Sequence, residues 1–120
     1  MRNFLIVAGA RPNFMKVAPI LRAASQIPDQ VTIKLVHTGQ HYDREMSDVF
    51  FEELSIPKPD FHLNVGAGTQ TEQVAKIMLA FEKVCEQEKP HGVIVVGDVS
   101  STIACALVAK RLGIDRKSVV

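Results

Sequence analysis

Three short apolar runs, each ended by glycine or a polar turn, constrain this chain more than any other feature. They are Asn3–Ala8, Val31–Val36 and Gly92–Gly97. Each is nearly continuous rather than alternating, as befits a strand buried on both faces. Between them lie stripes of helical spacing: Phe14, Val17, Ala18, Leu21 and Ala24, then Met46, Val49, Phe50 and Leu54, then Val74, Ile77, Met78, Phe81, Val84 and Cys85. A last stripe, Ile103, Ala104, Leu107, Val108 and Leu112, follows the third run. Strand and helix signals that alternate along a whole chain call for α/β architecture: a Rossmann-like parallel sheet with helices on both faces.

Local punctuation supports these boundaries. Asn13 is placed to cap the first helix, and Pro19 is expected to remove one of its backbone hydrogen bonds and kink it. Thr69-Gln-Thr-Glu72 has the spacing of a capping box, Lys89-Pro90 ends the helix it opens, and Gly113 suits the end of the last one. A helix is expected over about 43–54, followed by a stiff connector, Ile56-Pro-Lys-Pro-Asp60, and a short strand at Phe61–Leu63.

At 120 residues the chain has room for a single domain, residues 1–120. Fourteen basic and thirteen acidic residues give a formal charge of +1, without the surplus that a nucleic-acid footprint or a polybasic membrane anchor needs. No segment approaches the roughly 18 apolar residues of a membrane span. Cys85 and Cys105 lack CxxC spacing and read as small hydrophobes on buried helix faces. An intracellular, cytoplasmic protein is expected.

In open α/β sheets ligands bind beyond the carboxyl ends of the strands. Three polar segments fall there: Gly9-Ala-Arg-Pro-Asn13, Thr38-Gly-Gln-His41 and Gly97-Asp-Val-Ser-Ser101. The first has neither the glycine spacing of a dinucleotide fingerprint nor a phosphate-loop lysine pattern. It supplies two cations, Arg11 and Lys16, at a helix start, which suits a phosphate held by side chains and helix dipole. The alternative is an Arg11 paired with a carboxylate and a solvated Lys16. Asp98 is either a helix cap or a carboxylate displayed for proton transfer. His37 and His41 bracket the second loop, His62 and His91 have no partner pattern, and no metal-ligand spacing occurs.

These segments carry a resemblance. Gly9-Ala-Arg-Pro-Asn-Phe-Met-Lys-Val-Ala-Pro19, Thr38-Gly-Gln-His-Tyr-Asp43 with Met46, and Val96-Gly-Asp-Val-Ser-Ser-Thr102 resemble the non-hydrolysing UDP-N-acetylglucosamine 2-epimerases, in order and with matching spacing from Phe4 to about Ile114. The resemblance implies the amino-terminal half of a glycosyltransferase-B-type fold, with a UDP-sugar held between two Rossmann-like domains. It implies inversion at C2, interconverting UDP-GlcNAc and UDP-ManNAc by loss of UDP, formation of a 1,2-unsaturated sugar and re-addition of UDP. No cofactor and no metal are implied. Arg11 and Lys16 would contact the UDP portion, and Asp98 would be the catalytic carboxylate. Gln40 and His41 match a loop that helps bind a second, regulatory UDP-GlcNAc in some members. Ser100 replaces the usual asparagine or threonine. Residues 115–120 depart from the family pattern, in which a strand and an acid-bearing segment come next. The expectation is therefore a domain truncated before its partner, inactive alone, with an open sheet edge and cleft wall that favour a homodimer or larger species. A glycosyltransferase domain of the same fold and a non-catalytic nucleotide-sugar-binding or assembly module are the alternatives.

Overall fold

The apolar runs form the strands expected of them. A computed structural model describes residues 2–9, 11–38, 59–63, 65, 68–96 and 100–119, with the backbone alone for 11–14, 100–102 and 115–119. In chain order the elements are β1 (Arg2–Ala8), α1 (Arg11–Ser25), β2 (Val31–His37), β3 (Phe61–His62), α2 (Gln70–Glu88), β4 (Gly92–Val96), α3 (Ser100–Arg111) and β5 (Asp115–Val119). The strands make one parallel sheet in the order β3-β2-β1-β4-β5. The chain winds outward from β1 to β3, then crosses back to β4 on the other side of β1. The strand order therefore reverses between β1 and β4. The helix expected over 43–54 lies outside the described residues.

Alternation along the central strands feeds two cores. Leu5, Val7, Val36, Val93 and Val95 face α2 and α3, where they meet Ile77, Phe81, Val84, Cys85, Ala104, Cys105, Val108 and Ala109. Ile6, Ala8, Leu35 and Val96 face α1 and its Val17, Ala18 and Leu21. Burying a side chain such as Phe81 completely contributes about 1.5–3 kcal/mol. Both cysteines are free and buried, as small hydrophobes should be. Burial pushes the Cys85 thiol up to about 11 and that of Cys105 higher still.

The ends of the helices follow local chemistry. Thr69 Oγ1 accepts the Glu72 N–H at 3.1 Å, the forward bond of the expected capping box. Lys89 ends α2 in the left-handed region (φ 46°) and returns its N–H to the Cys85 carbonyl. Pro90 permits no further turn. Gly113 (φ 72°) closes α3: its N–H reaches the Lys110 carbonyl and the Ile114 N–H reaches that of Ala109. That pair of bonds is a Schellman motif, which needs the backbone freedom of glycine.

Three expectations are corrected. The first helix begins at Arg11, not after an Asn13 cap. Pro12 fits its first turn, where backbone N–H groups have no helical acceptor to lose. Along α3 the inner face is Ala104, Cys105, Val108 and Ala109, while Ile103, Leu107 and Leu112 are exposed at 59%, 43% and 40%. Finally, Asp115–Val119 is a strand that pairs with β4 from Gly92↔Asp115 to Val96↔Val119. The edge of β4 is thus covered, and β5 is the outer strand.

Candidate functional site

Because the sheet is parallel, β1, β2 and β4 all end at one edge, and in sequence each is followed by one of the three polar segments. β1 ends at Ala8, and the chain turns through the buried Gly9 into α1. Arg11 is the first residue of that helix, and Lys16 lies exposed in its second turn. The first turn of α1 contains no acid. Its positive dipole end is therefore not offset locally, which favours an anion by about 0.3–1 kcal/mol. Gln40, His41 and Asp98 lie outside the described residues.

The end of β2 is described in detail. The ladder runs on past the strand: the Thr38 N–H donates to the Ala8 carbonyl at 3.1 Å, and the Val65 N–H donates to the Thr38 carbonyl at 3.2 Å. The Leu63 N–H donates to the His37 carbonyl at 2.8 Å. The register pairs His37 with His62 across β2 and β3. Their rings stack with centroids 4.8 Å apart. Burial, and then the neighbouring His62, lowers the His37 pKa to about 4, so its imidazole is neutral near pH 7. A neutral imidazole keeps both an N–H donor and an acceptor nitrogen.

Asp60 sets the position of β3. Its Oδ2 accepts the Leu35 N–H at 2.8 Å. Its own N–H donates to the Leu35 carbonyl at 2.9 Å. At the opposite, amino edge of the sheet, Lys34 Nζ pairs with Glu88 at 2.8 Å. There the His91 Nδ1 accepts the Asn3 N–H at 3.0 Å, and the His91 N–H donates to the Asn3 carbonyl at 2.8 Å. His91 is thus a structural fastener far from the ligand edge. Sequence reasoning missed the His37–His62 pair and the Asp60 bridge. The signal was present only in the strand register, since both histidines close their strands.

The geometry is that of the carboxyl edge of a parallel α/β sheet, where ligands bind in such folds, and comparison with known proteins places the chain in a family. The family model described as UDP-N-acetylglucosamine 2-epimerase matches residues 23–116. The chain belongs to the UDP-N-acetylglucosamine 2-epimerase family. It is 44% identical over 110 residues to the UDP-N-acetylglucosamine 2-epimerase of Methanocaldococcus jannaschii, covering 92% of this chain and 30% of that protein. It is also 44% identical over 112 residues to the UDP-2,3-diacetamido-2,3-dideoxy-D-glucuronate 2-epimerase of Pseudomonas aeruginosa, covering 92% of this chain and 31% of that protein. The crystal structure of the M. jannaschii epimerase in complex with UDP-GlcNAc and UDP superposes with a TM-score of 0.89 at 42% identity, over 98% of this chain and 32% of that one.

The chain thus spans about 30% of the length of these epimerases, the amino-terminal part of each, in a glycosyltransferase-B-like fold. The fold also occurs as a domain of similar size. The carboxy-terminal domain of a Pyrococcus furiosus hydrogenase matches with a TM-score of 0.69 at 15% identity, over 98% of this chain and 90% of that domain. That likeness extends to the fold alone. Among the described residues, no helix of this epimerase-family chain is long and apolar enough to cross a membrane.

Proposed function

We propose that this chain forms the amino-terminal half of the active-site cleft of an enzyme that inverts C2 of a UDP-2-acetamido sugar, with UDP-GlcNAc and UDP-ManNAc as the substrate pair. The sheet order carries this reading. It brings the ends of β1, β2 and β4 to one edge, and the three epimerase-like segments follow those ends in sequence.

The residues then divide the work. Arg11 and Lys16, at and near the start of α1, hold the diphosphate by charge-assisted hydrogen bonds in the field of the helix dipole. Asp98, in the segment after β4, moves the C2 proton or orients the sugar for its removal. Loss of that proton with UDP as the leaving group gives the 1,2-unsaturated sugar. UDP returns to C1 as a proton reaches C2 from the opposite face. Gln40 and His41 belong to the loop that would read a second UDP-GlcNAc. Residues 1–120 alone are proposed to be inactive, because elimination needs groups fixed on both sides of the sugar.

A second substrate stands beside the first. The P. aeruginosa relative named for a 2,3-diacetamido glucuronate is as similar as the M. jannaschii one, at 44% identity each. Both names specify inversion at C2 and differ in the substituents at C3 and C6. The test is to incubate the complete polypeptide carrying this domain with each UDP-sugar in D₂O. The reading requires the C2 epimer and deuterium at C2 with one of them. Transfer of the sugar to an acceptor without C2 exchange would favour a glycosyltransferase, and tight binding without either would favour a binding module.

We also infer a homodimer. Leu79 and Ile103 are 67% and 59% exposed beside a groove of about 430 Å³ lined by Gln70, Thr71, Val74, Ala75, Met78 and Ile103. An apolar face of this kind on α2 and α3 suits a second copy of the chain. The cytoplasm is the proposed compartment, in keeping with two free buried thiols.

A further inference from the structure

Thr38 stands apart from its neighbours at the ligand edge. It is completely buried. Its backbone is satisfied on both sides, by the Ala8 carbonyl and by the Val65 N–H. Its hydroxyl Oγ1, however, meets no hydrogen-bond partner among the described residues. A buried hydroxyl without a partner is destabilising, and native folds keep few of them. Valine would fill the same space without that cost.

The location suggests what the hydroxyl is for. Thr38 is the first residue past β2, clamped against the end of β1 where the chain leaves through Gly9 for Arg11. Strand alternation puts it on the face of Val36, toward the core shared with α2 and α3. It therefore sits under the rim of the edge at which the proposed nucleotide-sugar site is built.

We propose that Thr38 is a positioning residue of that site: its hydroxyl gains a hydrogen bond in the ligand-bound arrangement of the rim, and so favours that arrangement over the free one. The proposal rests on the nucleotide-sugar reading given above. It assigns Thr38 no contact with the reacting atoms.

The test compares wild type, Thr38→Val and Thr38→Ser in the complete polypeptide carrying this domain, with UDP as the probe. Melting temperature is measured without ligand, and UDP affinity by calorimetry. Thr38→Val should melt no lower than wild type, since it removes an unpartnered buried hydroxyl. Its UDP affinity should fall roughly two- to tenfold, the worth of one hydrogen bond. Thr38→Ser should restore that affinity. A structural role alone would move the two readouts together. If wild type binds UDP and Thr38→Val binds it equally well, or if Thr38→Val melts lower and loses UDP affinity together, this proposal falls and the functional reading stands. If wild type binds no UDP, the functional reading falls and takes this proposal with it.

Discussion

The imidazole rings of His37 and His62 stack with centroids 4.8 Å apart and planes 14° from parallel. Adjacent parallel strands lie about 4.8 Å apart, so the contact follows directly from the register that pairs the two residues. The stack closes the carboxyl end of β2 immediately before Thr38 and the epimerase-like loop.

Burial of His37 makes stability depend on pH. The His37 pKa falls from 6.5 to about 4, through desolvation first and the nearby His62 second. Between those values the unfolded chain takes up a proton that the folded chain refuses. Stability from this group is therefore complete above pH 6.5 and declines as pH falls toward about 4, with a slope of up to about 1.4 kcal/mol per pH unit. Urea denaturation of wild type and His37→Gln across that range should give a shallower slope for the variant. Parallel slopes would show that His37 titrates normally in the fold.

Asp60 holds the β2–β3 junction through two bonds to Leu35, at 2.8 and 2.9 Å. Asp60→Ala removes the acceptor for the Leu35 N–H and should cost about 1–3 kcal/mol, whereas Asp60→Asn keeps an oxygen there and should cost less. Glu88→Gln provides the contrast. Its partner Lys34 is 41% exposed at the side chain, so losing that ion pair should cost under about 1 kcal/mol and respond to salt. Equal losses for Asp60→Ala and Glu88→Gln would contradict the assignment of Asp60 as the stronger fastener.

The α2–α3 face provides an oligomerisation test. Ile103 and Leu107 point outward, so Ile103→Asp with Leu107→Asp should leave the fold of each subunit intact. Wild type should scatter light as a dimer, and the double variant as a monomer with unchanged far-ultraviolet circular dichroism. A wild-type monomer across a wide concentration range would remove the interface.

Why these features differ in legibility is a matter of range. The strands β1, β2 and β4 are readable because apolar side chains on both faces leave no other buried arrangement. β5 hides because Asp115, Arg116 and Lys117 show no strand pattern, and its ladder to β4 supplies what propensity does not. Side-chain size misleads on α3, where Ala104, Cys105 and Ala109 lie inside and the larger Ile103 and Leu107 outside. The end of β1 before Gly9 is readable from local chemistry, whereas the start of α1 at Arg11 is not, because Asn13 offers an equally good local cap. The pairing of His37 with His62 is not, since it depends on the register of two strands separated by 23 residues between β2 and β3 (numbers 38 to 60).

The last prediction addresses the proposed chemistry through Asp98 and Arg11 in the complete polypeptide. Asp98→Asn preserves size and removes the base. If Asp98 moves the C2 proton or orients the sugar for its transfer, turnover should fall on the order of 10²–10⁴-fold, the usual worth of a positioned acid or base. Folding should survive, because asparagine caps a helix about as well as aspartate does, and α3 begins two residues later at Ser100. Arg11→Ala should differ in kind. It deletes a charge-assisted contact to the diphosphate, so UDP-GlcNAc binding should weaken by about 1.5–3 kcal/mol. Deuterium incorporation at C2 in D₂O, measured alongside substrate affinity, separates the two effects. An Asp98→Asn enzyme that exchanges C2 and turns over like wild type would mean that Asp98 only caps α3, and the proton must then be moved by another group.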